Sequence, residues 1–353
     1  MTNAQLDIGW KVIGILGAAW GATDTDTMGT EDLLAGISYT KGPARDALAA
    51  EAVTMIAVAA ILRDRRGGSG ATSWTADDDT AHSVSSHEIL GEDGDEGRLL
   101  TGAAVRAFAH AYELAGSEAA GADSGIGKML PEHLLRGLLR DGGNRCAEVL
   151  ALCGTTPDAV RARLDGDVPD AAAAAGGDGA PGTGVPAPRL DPLLLGTRDL
   201  LIGRRQYPVN RLRRWLLRGV NWATAPVNWV HHESFEQARA LGSQTPGTEH
   251  VLLAALATYE VAAAHPHLAR EGVTGTNTRQ LGGERLAAMG LDYATVRAAL
   301  AAGPELGTDA KPAEKYLEAA REDHGTGPLV EALLLDGTRA GRLVRRSRDA
   351  GPQ

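Results

Sequence analysis

The chain has 353 residues, a length that normally divides into two domains of about 150 residues each. Apolar residues make up 43% of the chain and only two are phenylalanine, which favours helices packed through small side chains. The net charge of −10 argues against a protein whose main task is to bind nucleic acid. No run approaches the roughly 20 apolar residues of a membrane span, and a signal peptide's basic flank is missing, so we expect a cytoplasmic protein.

The first part of the chain predicts two groups of helices with a polar stretch between them. Residues 5–64 hold a buried helix interrupted by glycines, a short capped helix over Gly29–Ile37 and a further apolar helix. Residues 66–98 are rich in Gly, Ser and Asp, which indicates a mobile acidic loop. Residues 99–165 then repeat the helical order, so we expect a domain over residues 1–165.

The two cysteines, Cys146 and Cys153, lie seven positions apart in one predicted helix, and both point toward the core. Two helical turns separate them by too great a distance for a disulfide. We interpret them as buried small hydrophobic residues.

The middle of the chain changes composition twice. Residues 166–190 are Asp, Ala, Gly and Pro with little to bury, which predicts a flexible linker. Residues 191–219 form a basic amphipathic segment, because 198–218 holds seven arginines against a single acid, Asp199. These arginines are either solvated or paired with acidic groups, or they form a docking surface for an acidic partner, nucleic acid or a membrane.

Residues 220–350 predict a second helical domain. A helix opened by Thr224 runs to Leu241, and a well-capped helix begins at Gly247. In that helix Thr248 is a natural N-cap, and Glu249 places a carboxylate in the first turn, where the helix dipole favours it.

Four short stretches share this order of a cap, an acidic first turn and a Leu-Leu pair. The copies are Gly29–Ile37, Leu130–Leu139, Gly247–Leu256 and Gly325–Gly337. Copy four is degenerate, with Gly327 in place of the glutamate. Such a repeat cannot bury its apolar face alone, so copies must pack in pairs. The sequence therefore predicts an all-α protein of two tandem domains, each a pseudo-duplicated bundle of short helices.

The motif Gly-Thr-Glu-His-x-Leu-Leu, followed by a turn and an Ala-x-x-Leu-x-x-x-Gly helix, resembles the repeat of the Clp amino-terminal domain. That domain is the substrate- and adaptor-docking module of AAA+ unfoldases of the ClpC and ClpA type. Copy two matches best over residues 138–154 and copy three over 239–253. Thr224 and Thr248 reproduce the family's spacing of 24 positions between two threonines. Because that domain contains two repeats, the chain resembles two such domains in tandem.

The chemistry of an unfoldase or a peptidase is missing from the sequence. The nearest approach to a P-loop, residues 122–129, has Ala122 for its first glycine and Met129 for its metal-binding hydroxyl. No Gly-x-Ser-x-Gly nucleophile elbow occurs. Adjacent histidines such as His231 and His232 point about 100° apart on a helix and cannot share one metal ion, so we interpret them as surface residues. We expect no enzyme, cofactor or metal.

The resemblance implies candidate ligand-binding residues. In ClpC-type domains that recognise phosphoarginine, the motif glutamate approaches the guanidinium and a helix-opening threonine lies near the phosphate. The candidates carried over are Glu132 with Thr101, Glu249 with Thr224, the motif residue Thr248, and Glu31, which has no clear threonine partner. The alternative is that each first-turn glutamate only stabilises its own helix, by about 0.3–1 kcal/mol.

We therefore predict a non-catalytic binding protein that modulates or competes with a Clp unfoldase or protease. Its partners would be Clp components or their substrates, and its ligands adaptors or peptide-like molecules such as phosphoarginine or a cyclic peptide. The alternative is a regulatory scaffold in which the basic segment 198–218 makes the interaction.

Overall fold

The computed structural model describes residues 7–67, 73–120, 128–166, 190–205, 207–208, 221–269, 280–321, 325–335 and 337–349. Within these ranges the protein is all-α apart from strands of two residues each. The chain divides into two compact units, residues 1–184 and 185–353. The division falls inside the predicted linker 166–190, of which 167–189 lies outside the described residues.

Unit 1 contains two sets of helices that follow each other in the same order. The first set is α1 (Trp10–Ala22), α2 (Thr30–Tyr39), α3 (Pro43–Ala50) and α4 (Met55–Gly67). After the short α5 (Ser86–Leu90), the second set is α6 (Gly102–Ala120), α7 (Pro131–Arg140), α8 (Arg145–Leu152) and α9 (Pro157–Asp165). Cys146 is buried in α8 and Cys153 follows the helix half-buried, and both are free thiols.

Short strands connect the two sets, because each strand of the first set pairs with a strand of the second set. The strands are β1 (Asp7–Ile8), β2 (Thr27–Met28), β3 (Val84–Ser85), β4 (Leu99–Leu100) and β5 (Lys128–Met129). β1 pairs in parallel with β5, and β2 pairs in parallel with β4. Each strand that precedes a first helix thus pairs with the strand preceding the second helix of the other set.

The hydrogen bonds that follow these strands are the same in both sets. Gly9 N donates to Met129 O over 3.0 Å, and Thr101 N donates to Met28 O over 3.1 Å. Gly9, before α1, is therefore the structural counterpart of Thr101, before α6. The sequence repeat is a repeat of structure within unit 1.

The first two helices of each set cross at a glycine. A Cβ added to Gly36 of α2 would overlap Ile15 O of α1, and one added to Gly137 of α7 would overlap Ala107 O of α6. The backbones approach so closely that only a residue without a side chain fits at either crossing.

The crossing gives a first prediction. Gly137→Ala should lower the free energy of unfolding of unit 1 by about 1–3 kcal/mol, because α6 and α7 must move apart. Chemical denaturation followed by hydrogen exchange of unit 1 peptides would measure the loss. The control is Gly14→Ala in α1, where an added Cβ meets nothing within 4 Å. That change should raise stability by up to about 1 kcal/mol through helix propensity, so losses of equal size would contradict the crossing.

The acidic stretch 66–98 differs from the unstructured loop that its composition predicts. Residues 68–72 lie outside the described residues, but 73–98 include α5, turns at Thr80–His82 and Gly91–Asp93, and β3, which pairs with β4. Residues 73–98 are fixed by polar contacts, because Asp78 is fully buried and accepts hydrogen bonds from the N-termini of two helices. A low content of apolar residues predicts that a segment buries little surface. It does not show whether hydrogen bonds to a buried carboxylate fix the segment in place.

The described residues of unit 2 repeat this order of helices, and their second set has three helices where the second set of unit 1 has four. After α10 (Leu195–Leu201), the helices are α11 (Pro226–Ala240), α12 (Thr248–Ala264), α13 (Pro266–Ala269), α14 (Leu281–Ala288), α15 (Tyr293–Ala301), α16 (Ala313–Arg321), α17 (Thr326–Leu335) and α18 (Arg339–Asp349). As in unit 1, the helix of one copy's motif packs against the following short helix of the other copy: α12 against α18, and α17 against α14.

The described part of the predicted basic segment belongs to the core of unit 2. Leu194, Leu200, Leu201 and Tyr207 of this segment are buried, whereas Leu193 and Leu195 are exposed. Its arginines are paired: Arg198 and Arg204 with Asp199, and Arg205 with Glu236. Residues 209–220, including Arg211, Arg213, Arg214 and Arg218, lie outside the described residues. No helix in the described ranges has both the length and the apolar character needed to cross a bilayer.

Candidate functional site

The motif threonine of copy one joins three elements of unit 1. Thr30 Oγ1 donates to Asp78 Oδ1 over 2.5 Å and accepts from Cys146 N over 3.0 Å. Thr30 N also donates to Asp78 Oδ2 over 2.8 Å, and Arg145 N donates to Asp78 Oδ1 over 3.1 Å. The buried Asp78 carboxylate therefore caps the starts of α2 and α8 together.

Unit 2 contains the same arrangement on different residues. Thr248 Oγ1 donates to Asp309 Oδ1 over 2.6 Å and accepts from Ala340 N over 3.1 Å. Thr248 N donates to Asp309 Oδ2 over 3.2 Å, and Arg339 N donates to Asp309 Oδ1 over 2.7 Å. One aspartate again caps the starts of two helices, α12 and α18.

The same threonine contact appears in copy four and is lost in copy two. Thr326 Oγ1 accepts from Gly282 N, at the second position of α14, over 3.1 Å. Cys146 and Ala340 occupy the second positions of α8 and α18. Copy two has Pro131, which carries no hydroxyl. The motif threonine is thus a residue that docks one repeat onto the other.

The motif glutamates Glu31 and Glu249 fold back over the glycine two positions earlier. A Cβ added to Gly29 would overlap Glu31 Oε2, and one added to Gly247 would overlap Glu249 Oε2. A residue larger than glycine at either position would have to displace the carboxylate.

Each of these glutamates faces an arginine of the same unit. Arg145 Nη1 donates to Glu31 Oε1 over 2.9 Å. Arg339 Nη2 lies 2.9 Å from Glu249 Oε1, without the alignment of a hydrogen bond. Glu31 is 3% exposed and Glu249 is 0% exposed. Within the described chain, Glu31 Oε2 and both carboxylate oxygens of Glu249 have no hydrogen-bond partner.

Burial dominates the electrostatics of copy one. It raises the pKa of Glu31 to about 7, helped by the neighbouring Asp32 and Asp78 and opposed by Arg145. Burial also raises the pKa of Asp32 to about 6, although Asp32 accepts from Gly29 N and pairs with Arg66. The site holds more negative charge than its arginines offset.

Thr101, the predicted partner of Glu132, lies in the cluster of copy one. Thr101 Oγ1 donates to Asp78 Oδ2 over 2.7 Å, so it lies in the cluster of Thr30 and Glu31. The exchange of strands causes this, because the start of α6 lies beside the start of α2. Glu31, for which the sequence offered no threonine, is the glutamate that lies with Thr101.

Thr224 differs from its predicted role as well. Its hydroxyl donates to Asn221 O over 2.8 Å at the end of a 3₁₀ turn, Trp222–Thr224, and α11 begins at Pro226.

Glu132 is the motif glutamate that the described residues of unit 1 leave open. It is half-buried, and no ion pair or hydrogen bond holds it within the described residues. A Cβ added to Gly42 would lie 3.9 Å from Glu132 Oε1 and 3.8 Å from Lys11 Nζ. The side chain of Trp10, next to Lys11, is 80% exposed, and Leu130, which precedes α7, is 43% exposed.

Four residues of these clusters were missed by sequence reasoning: Asp78, Asp309, Arg145 and Arg339. The two arginines could have been found from the sequence, because each directly follows an N-cap residue, in Asn144-Arg145 and in Thr338-Arg339. Asp78, inside an acidic run, gave no signal of its own.

The histidine pair lies in an aromatic cluster and is only partly exposed, unlike the surface residues that were expected. His232 stacks on Tyr207 with ring centroids 5.0 Å apart, and His231 meets Phe235 edge-on at 5.4 Å. Among the described residues, no group of three potential ligands could hold a metal ion.

Comparison with known proteins finds no matching family model, no similar curated protein and no similar solved structure.

Proposed function

We propose that this chain is a non-catalytic binding protein made of two units of the Clp amino-terminal type. It binds substrates, adaptors or peptide-like ligands that a Clp unfoldase also binds, and it thereby modulates or competes with that machine. The supporting observation is the cluster of motif threonine, aspartate and arginine that occurs in both units, at Thr30 and at Thr248. It indicates that each unit is a pair of interlocked repeats, the organisation of that domain.

The open copy is the best candidate for a ligand site. Glu31 and Glu249 already face a guanidinium group of their own unit, whereas Glu132 has no partner among the described residues. Two exposed apolar residues belong to the elements that carry this region, Trp10 at the start of α1 and Leu130 directly before α7. A peptide-like ligand with a guanidinium group, including phosphoarginine, suits a carboxylate that can accept two parallel N–H bonds.

Isothermal titration with a phosphoarginine-containing peptide tests this site. We expect binding to wild type, a loss of at least tenfold in affinity for Glu132→Gln, and unchanged affinity for Glu31→Gln, whose carboxylate is buried. Wild type that releases no heat at millimolar peptide would exclude the phosphoarginine version of the proposal.

Affinity capture from a lysate of the source organism tests the partner. Clp subunits or their substrates should be retained by wild type, and added amino-terminal domain of the organism's unfoldase should compete for the substrates. Recovery of neither class would contradict the proposal.

The scaffold alternative finds no support in the described part of the basic segment, where Arg198, Arg204 and Arg205 are paired within unit 2. Charge reversal at Arg211, Arg213 and Arg214 separates the two functions, since it should leave binding at Glu132 unchanged.

A further inference from the structure

We infer that α14 and α17 of unit 2 form an interface through which two copies of this chain associate about a two-fold axis. The interface consists of exposed residues on the side that the two helices share: Leu281, Arg285 and Ala288 of α14, and Glu331 and Leu335 of α17. It is independent of the proposed function, because it contains none of the motif glutamates.

Unit 1 carries a helix at the place where unit 2 exposes this face. There α3 and α7 correspond to α14 and α17, and α9 packs against both of them. Arg163 of α9 donates to Glu51, which directly follows α3, and Asp165 at the end of α9 pairs with Arg136 of α7. Among the described residues of unit 2, whose second set ends with α18, no helix takes the place of α9.

The helices of the two units correspond residue by residue. Leu48 of α3 and Leu286 of α14 are both fully buried. Four residues after each leucine the chain turns through a positive φ, 65° at Ala52 and 76° at Gly290. α7 and α17 are the motif helices of copies two and four. Single positions of the two units can therefore be compared directly.

The comparison shows what has changed on the face that α9 covers in unit 1. Arg136, the partner of Asp165 in α9, is replaced by Glu331. Arg140, at the end of α7, is replaced by Leu335, whose side chain is 76% exposed. No other large apolar residue in the described part of unit 2 is as exposed. The face has lost a group that binds α9 and has gained exposed apolar surface, which is typical of an interaction site.

The exposed residues form two adjoining rows. Leu281, Arg285 and Ala288 follow each other at intervals of four and three positions, so they lie on one side of α14. Glu331 and Leu335, four positions apart, lie on one side of α17 in the same way. The rows meet at two places: a Cβ added to Gly327 of α17 would lie 3.4 Å from Leu281 Cβ, and Arg285 Nη1 lies 3.8 Å from Glu331 Oε1.

The charges on this face fit a second copy of the same face. Arg285 and Glu331 are 52% and 54% exposed, and their 3.8 Å separation leaves room for a closer ion pair. A two-fold axis through the middle of the face places Arg285 of each copy opposite Glu331 of the other, as an isologous interface requires. It also places the leucine at one end of the face against the leucine at the other end. The chain carries a net charge of −10, so two copies associate best through a surface whose own charges cancel.

Sedimentation velocity of the full-length chain tests the interface. We expect a reversible dimer with a dissociation constant on the order of 1–100 µM, because a face of two helices buries a limited area. Leu335→Arg should weaken association by about tenfold or more, since it buries a charge without a partner. The variant should fold, because unit 1 carries arginine at the corresponding position, Arg140. The control Tyr39→Arg, which changes an exposed apolar residue of unit 1, should leave association unchanged.

A mixing experiment tests the two-fold arrangement. Arg285→Glu and Glu331→Arg should each weaken self-association by about tenfold or more, because each places like charges opposite one another. Mixed in equal amounts, the two variants should form a heterodimer about as stable as the wild-type dimer, since every arginine again faces a glutamate. A wild-type chain that stays monomeric throughout this concentration range, a dimer that Leu335→Arg does not weaken, or single variants that fail to pair when mixed would each overturn the interface.

Discussion

Asp78→Ala is expected to lower the free energy of unfolding of unit 1 by about 3–5 kcal/mol, a large part of the stability of a domain this size. The carboxylate accepts hydrogen bonds from Thr30 N, Thr30 Oγ1, Thr101 Oγ1 and Arg145 N. Alanine leaves these donors without their buried acceptor at the place where the starts of α2, α6 and α8 meet. Native-state hydrogen exchange, read on peptides from α2 and α6, measures the effect in unit 1 alone.

The matched control is the neighbouring carboxylate. Asp77 is exposed, and its carboxylate accepts a hydrogen bond from Asp79 N. Asp77→Ala should change stability by no more than about 0.5 kcal/mol, as is usual for exposed positions. If the two alanine variants behaved alike, Asp78 would not be the residue that joins the repeats.

The helices of the motif could be predicted because their signals are local. A cap, a first-turn acid and a Leu-Leu pair lie within ten residues, and α2, α7, α12 and α17 all occur at the predicted stretches. The contacts between repeats could not be predicted in the same way. Thr101 meets Thr30 through Asp78, and no local pattern specifies which strand pairs with which across 70 residues.

The candidate site shows the same limit. Glu31, Glu132 and Glu249 could be identified from the sequence as motif glutamates. Whether such a glutamate has an ion-pair partner depends on an arginine from another repeat. Glu31 and Glu132 look alike in sequence, yet Arg145 reaches only the first of them. The run Asp77-Asp78-Asp79 looks uniformly solvated, whereas the structure buries its middle member completely.

Unit 1 is also expected to lose stability as the pH rises from about 4.5 to 7. Burial raises the pKa of Glu31 from 4.5 to about 7 in the folded chain. Over that interval the unfolded chain releases a proton that the folded chain keeps, so the free energy of unfolding falls with pH. A shift of this size corresponds to about 3 kcal/mol, at roughly 1.4 kcal/mol per pKa unit. Asp32, whose pKa is raised from 3.8 to about 6, acts in the same direction over its own range.

Glu31→Gln isolates the contribution of this carboxyl group. Glutamine resembles the protonated acid, so the variant should show a shallower decline in stability between pH 4.5 and 7 and should be at least as stable as wild type at pH 7.5. Glu132→Gln, which changes the open copy of the motif, should retain the wild-type decline. Hydrogen exchange of α2 peptides at several pH values, corrected for the intrinsic rate, gives the comparison. A Glu31→Gln variant that lost stability at pH 7.5 would contradict this expectation. It would show that the ion pair between Glu31 and Arg145 stabilises the folded chain by more than burial of the Glu31 charge destabilises it.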